Sequence, residues 1–440
     1  MTLTPPYGVD ATSVPPKRVL MLSWEYPPVV VGGLGRHVHA LAGALAAAGH
    51  EVTVVTRHAP GAALDDLREG VRVVRAPEDP PRFPLATESL LAWTMAFNHT
   101  LTRAALRAVG TGRYDLIHAH DWLVTHTALT LKEHLGLPLV ATIHATEAGR
   151  HQGWLPGEMN RAIHSVEHWL GHEADRVVVC SGYMKWEVNR LFGVAPEKLS
   201  VVPNGVDAAR WRALPDQVAL ARRRFAGDGP LIAFAGRLVY EKGVQDLLAG
   251  LPALRSRHRG LRAVIAGDGP YKPHLERTAD ALGLRDVVTF AGFLRDDELP
   301  ALMAASDGFV VPSIYEPFGM VALESAAAGA PLAVAATGGL PEIVEPKVTG
   351  MTFPARDPQS LADAVSALVL DADLARGVAR QARAMVQRRY TWPTVAAATA
   401  HAYEWAGRGA GVPAQRGPLE ITVPEGNLLL GSRVPTRADG

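Results

Sequence analysis

Two glutamates eight positions apart have the type and spacing that suggest chemistry. They lie in the segment EPFGMVALE, with Glu316 in a loop after an apolar run and Glu324 in the helical pattern that follows. Eight positions is a little over two helical turns, so the second carboxylate projects near the helix face that the first approaches. The neighbours of Glu324 are small and apolar, unlike a solvent-facing helix surface. We expect the two carboxylates to hold two different parts of one ligand.

Two cations follow another strand-like run. In GRLVYEKG, Arg237 and Lys242 come directly after an apolar run and before a helical pattern. A guanidinium offers a planar fork, an ammonium offers a point charge, and a helix N-terminus adds free amides, which together suit a diphosphate. The sequence therefore predicts a diphosphate site at this position.

A glycine-rich loop, GGLG, joins the first strand-like run to the first helical pattern, which is predicted to begin at Arg36. Because Gly32 and Gly33 have no side chains, the backbone amides of this loop can approach a ligand closely. The loop is neither GxGxxG nor a phosphate loop that ends in Lys–Ser/Thr. It therefore disfavours a dinucleotide dehydrogenase and a P-loop NTPase.

Histidines follow two further strand-like runs, in the segments HAHDW and TIHATE. One interpretation is the divalent-metal site of a hydrolase, made by His118, His120, Asp121 and His144. The favoured interpretation is that Asp121 and His144 contact sugar hydroxyls and that no metal is bound. We expect His118 to be an ordinary core histidine.

The elements that must position these residues follow a repeating α/β pattern. Short apolar runs, most of them without the alternation of a half-exposed strand, alternate with helical patterns, which is typical of parallel sheets covered on both faces. The pattern begins near residue 18 and begins again at Pro230. We predict two doubly wound α/β domains that face each other across a cleft and join near residues 203–207. Because ligands bind at the carboxyl ends of parallel strands, the motifs should lie at this cleft.

The overall composition excludes several classes of protein. The 440 residues include 44 Lys and Arg against 44 Asp and Glu, so the net charge is zero and the basic field of a nucleic-acid-binding protein is absent. Cys180 is the only cysteine, which excludes an internal disulfide. The N-terminus does not resemble a signal peptide, and the longest uncharged stretch, at 325–341, is broken by Gly and Pro. We predict a cytoplasmic protein with no nucleic-acid partner and no transmembrane segment.

Together, the motifs resemble those of the GT-B glycosyltransferases of family 4 and of the glycogen and starch synthases that share their architecture. The resemblance covers residues 17–406, and its most specific segments are SWEYPPVVVGGLGRHVHAL, HAHDWLV, TIHATEAGRH and YEPFGMVALE. These segments are most similar to the actinobacterial α-1,4-glucosyltransferases of glycogen and methylglucose lipopolysaccharide assembly. Val31 stands where similar bacterial glycogen synthases have a lysine, which favours family 4 over a plain ADP-glucose glycogen synthase.

The resemblance implies a fold and a reaction. The fold is GT-B, with two Rossmann-like domains. The reaction moves glucose from ADP-glucose or UDP-glucose to an α-1,4-glucan or a related acceptor, retains the anomeric configuration and requires no metal or other cofactor. The implied boundaries are a flexible N-terminus at 1–16, an acceptor-side domain at 17–205, a nucleotide-sugar domain at 206–385, a helix at 386–406 that packs back on the first domain and a flexible tail at 407–440.

The resemblance also implies a role for each motif residue. Those on the donor side are Arg237 and Lys242 at the diphosphate, Glu324 at the ribose hydroxyls, the amides of Phe318 and Gly319 at the sugar hydroxyls, and Gly32 and Gly33 at the phosphates and the acceptor. Those implied in catalysis are Glu316 at the donor sugar, His144 near the reacting carbon and Asp121 on the acceptor side.

Other functions fit parts of the sequence. Within the glycosyltransferases, the acceptor could be glucose-1-phosphate, which gives maltose-1-phosphate, or a membrane lipid that receives mannose. An apolar stripe at residues 90–101 has the spacing of a membrane-binding helix, but few cations accompany it, so we interpret it as packing or as a wall of the acceptor groove. From other classes come a metal-dependent hydrolase that uses HAHD, a glycosidase with two carboxylates and a binding module without activity.

Overall fold

The structure is a computed structural model that describes residues 14–77, 85–295 and 297–409. The predictions for residues 1–13 and 410–440 concern parts of the chain outside these ranges. The strands are β1 Arg18–Leu22, β2 Glu51–Thr56, β3 Asp65–Arg68, β4 Val71–Arg75, β5 Leu116–His120, β6 Leu139–Ile143, β7 Arg176–Val179, β8 Leu199–Val201, β9 Leu231–Ala235, β10 Arg262–Ala266, β11 Val288–Gly292, β12 Gly308–Val311, β13 Leu332–Ala335 and β14 Met351–Phe353.

Helices follow most of these strands. They are α1 Gly33–Ala47, α2 Leu90–Gly110, α3 Thr125–Leu135, α4 Glu147–Arg150, α5 Glu158–Glu173, α6 Gly182–Phe192, α7 Pro215–Phe225, α8 Val244–Arg257, α9 Lys272–Ala281, α10 Glu298–Ala305, α11 Met320–Ala328, α12 Leu340–Ile343, α13 Pro358–Leu370, α14 Ala372–Arg389 and α15 Trp392–Gly409. None of the helices in the described ranges is both long and apolar enough to cross a membrane.

The strands form two sheets. The first has the order β3-β4-β2-β1-β5-β6-β7-β8 and is parallel except for the antiparallel pair β3–β4, and the second has the order β11-β10-β9-β12-β13-β14 and is parallel. Central strands such as β5, β6 and β9 are buried along their whole length, because helices cover both faces. The predicted pair of doubly wound domains is confirmed. We call the first sheet with its helices the first domain and the second sheet with its helices the second domain.

Helix α1 begins at Gly33, three residues before the predicted start, so most of the GGLG segment is helical and the prediction of a loop there was wrong. Glycine is a poor helix former, but the start of this helix has an external cap. The carboxylate of Glu25 accepts hydrogen bonds from the amides of Val31 and Gly32, the latter at 3.0 Å. A carboxylate at this position complements the positive end of the helix dipole.

The chain crosses between the domains twice, at adjacent points. The first crossing is at residues 203–207 and the second follows α14, where the amide of Val206 donates to the carbonyl of Tyr390 at 2.8 Å. Helix α15 then packs against α1, β6 and β7 of the first domain. Its Tyr403 hydroxyl lies 2.8 Å from Nδ1 of His118.

The apolar stripe of α2 belongs to the core. Trp93 and Phe97 are at most 1% exposed and stack on each other, with ring centroids 5.0 Å apart. The guanidinium of Arg57 lies over the Trp93 ring. This stripe therefore packs inside the first domain and is not available to a membrane.

Candidate active site

The cleft between the domains contains two cavities. The first cavity has a volume of about 170 Å³ and is lined by seven of the ten predicted residues, namely Gly33, His144, Arg237, Lys242, Glu316, Phe318 and Gly319. The second cavity has about 470 Å³ and is lined by an eighth, Glu324. Helix α1 lines both cavities. The remaining two predicted residues, Asp121 and Gly32, line neither.

A third cavity of about 620 Å³ lies under α14 and contains none of the predicted residues. It is lined by Asp307 and Pro331, which precede β12 and β13, so it lies at the amino ends of these strands. Ligands of doubly wound sheets bind at the carboxyl ends. We therefore place the candidate site in the cleft.

An ion pair lines the first cavity. Nζ of Lys242 lies 2.7 Å from Oε2 of Glu316, and the hydroxyl of Ser313 donates to the same oxygen at 3.1 Å. Glu316 is 7% exposed. Arg237, in contrast, is about half exposed, and its one ion pair with the residues that the structure describes is a long contact of 3.9 Å with Glu241. The guanidinium is therefore available to an anionic ligand, and the ammonium becomes available when its pairing with the carboxylate loosens.

The start of α11 forms another wall of the first cavity. The amides of Phe318 and Gly319 precede this helix and make no hydrogen bond within the described ranges. On the opposite side of the same loop, the amide of Gly339 donates to the carbonyl oxygen of Glu316 at 2.9 Å. Free amides and the positive end of a helix dipole favour oxygen atoms of a ligand at this wall.

Glu324 forms an ion pair across the cleft. It is 5% exposed, and its Oε1 accepts a hydrogen bond from Nη1 of Arg36 in α1 at 3.1 Å. Burial raises the pKa of Glu324 to about 7, and the nearby Arg36 and Arg210 partly oppose this rise. A ligand hydroxyl that binds Glu324 must share the carboxylate with Arg36.

Asp121 has a strained backbone at the carboxyl end of β5. Its φ of 62° with ψ of 174° is rarely adopted by residues other than glycine, and such conformations are concentrated at functional sites. Oδ1 of Asp121 accepts the amide hydrogen of His144 at 2.8 Å. Burial raises the pKa of Asp121 to about 6. In this structure Asp121 fixes the backbone that carries His144.

Three imidazoles gather behind the first cavity. Nitrogen atoms of His37, His120 and His144 lie within 4.8 Å of one another, and Nδ1 of His120 is 3.1 Å from Nε2 of His144. Burial lowers the pKa of all three, to about 4 for His144, so they are neutral at pH 7. Neutral imidazoles are the form that binds a transition metal, and these are the residues that could hold one.

Two of the four residues considered for a hydrolase metal site, His118 and Asp121, make other contacts. His118 bonds to Tyr403 and, at 2.7 Å, to the hydroxyl of Thr142, as expected for a core histidine. Asp121 gives one carboxylate oxygen to a backbone amide. His118 is therefore not available as a ligand, whereas Nε2 of His120 has no hydrogen-bond partner in the described part of the chain, and His120 and His144 belong to the group of three imidazoles.

Two polar atoms at the first cavity are buried without a hydrogen-bond partner in the described part of the chain. They are Nδ1 of His37 and Oδ1 of Asn204, and both residues line the cavity. The Asn204 side chain partly opposes the lowering of the His37 pKa, so the two residues interact with each other, and a ligand hydroxyl here would bind beside this pair.

Several residues of the site were missed by the sequence reasoning. Glu25, Arg36 and His37 all lie within SWEYPPVVVGGLGRHVHAL, but only its glycines were selected. The available signal was a glutamate in an apolar segment just before a glycine pair. Arg36 and His37 gave no such signal. They are neighbours on α1 but line different cavities, and these cavities exist only where the second domain packs against α1.

His118 contributes to the pH dependence of stability. Burial lowers its pKa to about 3, whereas the unfolded chain has a pKa of about 6.5. As the pH falls, the unfolded chain binds the proton first, so the stabilising contribution is complete above about pH 6.5 and is lost between about pH 6.5 and 3. We expect the loss of unfolding free energy from pH 7 to pH 5 to be about 2 kcal/mol smaller in His118→Gln than in the wild type. Denaturant unfolding at both pH values measures this, and equal losses would contradict it.

Two family models together match most of the chain. The family model described as Glycosyltransferase Family 4 matches residues 31–210, and the one described as Glycosyl transferases group 1 matches residues 219–385. The chain is 46% identical over 413 residues to a glycogen synthase of Mycobacterium tuberculosis. The aligned region covers 91% of this chain and 98% of that protein.

Two solved structures are similar over most of the chain. Sucrose-phosphate synthase from Thermosynechococcus elongatus matches with a TM-score of 0.76 and 25% identity, over 89% of this chain and 99% of that one. The catalytic domain of starch synthase IV from Arabidopsis thaliana, bound to ADP and acarbose, matches with a TM-score of 0.70, over 90% of this chain and 100% of that one. At 19% identity the second likeness concerns the fold alone.

Proposed function

Because this chain belongs to the GT-B glycosyltransferases of group 1 and family 4, we propose that it transfers glucose from ADP-glucose or UDP-glucose to an α-1,4-glucan or a related acceptor, with retention of the anomeric configuration. The observation that carries this proposal is the grouping of Arg237, Lys242 and the N-terminus of α11 around one cavity that also contains Glu316. The 46% identity to a glycogen synthase supports glucose as the sugar and a glucan as the acceptor.

The donor spans both cavities in this proposal. The second cavity is large enough for a nucleoside, and Glu324 offers an acceptor to the ribose hydroxyls there. The diphosphate lies between Arg237, Lys242 and the start of α11, and the sugar lies in the first cavity. The amides of Phe318 and Gly319 are free to donate to the sugar hydroxyls.

The first domain contributes the acceptor side. His144 lines the first cavity opposite the cations, and Asp121 holds the backbone of His144. Of the two glycines at the start of α1, Gly33 lines the first cavity and can approach the phosphates, whereas the amide of Gly32 donates to Glu25. We propose residues 17–205 as the acceptor domain, 206–385 as the donor domain and 386–406 as a helical segment returning to the first domain.

The chemistry in this proposal is mainly electrostatic. The acceptor hydroxyl attacks the anomeric carbon on the face from which the diphosphate leaves. The new C–O bond forms while the bond to the diphosphate breaks, the electron pair goes to the diphosphate, and one of its oxygens takes the hydroxyl proton. Arg237 and Lys242 stabilise the charge that grows on the leaving group. Closure of the cleft excludes water, which would otherwise hydrolyse the donor.

One observation favours a second acceptor. Arg150 lines the first cavity together with His144, on the side of the first domain. A guanidinium next to the acceptor suits a phosphate group. Glucose-1-phosphate, with maltose-1-phosphate as the product, is therefore the second candidate.

Product analysis tests the proposed function. The purified protein is incubated with ADP-, UDP- or GDP-glucose, alone and with maltooligosaccharides or glucose-1-phosphate, and the products are identified by mass spectrometry and glycosidase digestion. We expect chains extended by α-1,4-linked glucose from ADP-glucose or UDP-glucose. Maltose-1-phosphate as the main product would favour the second acceptor, and no turnover of any donor would refute the proposed function.

A further inference from the structure

Helix α6 of the first domain contacts the residues on both sides of Glu316. On one side, the hydroxyl of Tyr315 donates to Oε1 of Glu187 at 2.8 Å. On the other side, the hydroxyl of Ser181, which caps α6, donates to the carbonyl oxygen of Pro317 at 2.6 Å. Both hydrogen bonds cross the cleft, and together they bracket the glutamate of the first cavity.

The bond from Tyr315 is made in a fully buried environment. Tyr315 is 5% exposed and Glu187 is 1% exposed. Burial raises the pKa of Tyr315 well above its ordinary value, so the phenol keeps its proton and remains a donor. The carboxylate of Glu187 accepts two more hydroxyl hydrogen bonds, from Thr146 at 2.7 Å and from Tyr183 at 2.8 Å. A buried carboxylate that accepts three hydroxyl hydrogen bonds depends strongly on each of them.

The same hydroxyl also reaches the segment that carries His144. The amide of Thr146, two residues after His144, donates to the Tyr315 oxygen at 3.3 Å. Gly149 allows this approach, because a Cβ there would overlap the Tyr315 hydroxyl and lie 2.6 Å from Oε1 of Glu187. One phenol thus links the segments that carry Glu316 and His144.

A charged contact attaches the start of α6 to the second domain. The carboxylate of Glu342 accepts hydrogen bonds from the amides of Gly182 and Tyr183, both at 2.9 Å. A carboxylate at these first amides stabilises the helix by capping it and by complementing its dipole. Helix α6 is therefore held by the second domain both at its first turn and, through Glu187, further along.

From this geometry we infer that Tyr315 is a positioning residue, which orients Glu316 towards Lys242 and the first cavity when helix α6 docks on the second domain. The inference rests on the proposed function and adds a connection between closure of the cleft and the geometry of the reacting site. When the cleft opens, both neighbours of Glu316 lose their partners on α6. Sugar transfer is then restricted to the closed state, in which water is excluded.

The first test removes the hydroxyl with Tyr315→Phe. We expect kcat for transfer to fall about tenfold, because one hydrogen bond to a buried carboxylate is lost. The KM for the donor should change by less than twofold, since the residues proposed to bind it lie mainly on the second domain. The ratio of donor hydrolysis to transfer should rise severalfold, because the closed state is less populated.

Tyr183→Phe is the matched control. It removes a hydroxyl from the same carboxylate, but Tyr183 and Glu187 belong to the same helix, so this bond does not cross the cleft. We expect kcat and the hydrolysis ratio within twofold of the wild type. If kcat falls as much in Tyr183→Phe as in Tyr315→Phe, both hydroxyls act by stabilising α6, and the inference is overturned.

A second test asks whether Tyr315 acts through Glu316. If it does, adding Tyr315→Phe to a Glu316→Gln variant should lower kcat by less than twofold further. A further tenfold loss, or wild-type kcat in the single Tyr315→Phe variant, would overturn the inference.

A third measurement does not depend on activity. Small-angle X-ray scattering of the ligand-free proteins should give a larger radius of gyration for Tyr315→Phe than for the wild type or Tyr183→Phe. Identical radii for all three would reject the link between this hydroxyl and closure. If the wild type transfers no sugar while the radii differ as expected, the proposed function fails, but the link between the Tyr315 hydroxyl and closure of the cleft stands.

Discussion

Replacing Arg237 with methionine is expected to lower kcat for sugar transfer by about a thousandfold and to leave the melting temperature within about 2 °C of the wild type. Removing one preorganised donor from a site where charge develops typically costs a factor of 10²–10³, and a guanidinium supplies two donors to one phosphate. The fold should survive, because the Arg237 side chain is about half exposed and its ion pair with Glu241 is long.

The control is Arg285→Met. Arg285 is also an exposed arginine with an ion pair, to Asp280, but it precedes β11 and so lies at the amino end of the second sheet. Steady-state kinetics measure kcat for both variants, and thermal melting measures their stability. Turnover of Arg237→Met within tenfold of the wild type would remove the guanidinium from the proposed transition state.

Replacing Lys242 is expected to lower stability, which replacing Arg237 is not. Its ammonium also neutralises Glu316, which is almost fully buried. Replacing Lys242 should therefore reduce stability as well as kcat, because it leaves a buried carboxylate without its cation.

The second large effect is expected for Gly338→Ala. Gly338 has a φ of 57°, and a Cβ there would overlap the carbonyl oxygen of Glu316. The left-handed conformation alone costs a non-glycine residue about 1–2 kcal/mol, and the overlap adds strain, so we expect the free energy of unfolding to fall by about 3 kcal/mol. Because the loop that carries Glu316 must move, kcat should fall at least tenfold in the folded variant.

Gly377→Ala is the matched control for Gly338→Ala. Gly377 lies inside helix α14, and a Cβ there meets no atom within 4 Å. Alanine is the better helix former, so this variant should gain about 0.5–1 kcal/mol of stability and keep its activity. Denaturant unfolding with parallel kinetics compares the two glycines. Equal stability of Gly338→Ala and the wild type would mean that the loop around Glu316 yields without strain.

The fold was largely predictable from the sequence, because strands buried on both faces are apolar along their whole length. The elements that sequence reasoning missed lack this signal. Strand β3 has the sequence DDLR and lies exposed at the edge of the first sheet, and β14 has only three residues. The start of α1 was misplaced because its cap, Glu25, precedes it by several residues rather than occupying the usual capping position.

The candidate site was predictable to a smaller extent. Residue type and position after a strand were sufficient to select Glu316, Arg237 and Lys242, which line one cavity. The contacts of His118 and Asp121 were not predictable, because their partners come from other elements.

By itself, the sequence determined which side chains end up at the carboxyl ends of the two sheets, because apolar runs and the residues that follow them are local properties of the chain. Only the tertiary structure decided how these side chains are paired across the cleft. Glu324 meets Arg36 from 288 positions away, and Tyr315 meets Glu187 from 128 positions away. Such contacts depend on how one domain is placed against the other, and that placement results from packing summed over the whole interface rather than from any local pattern.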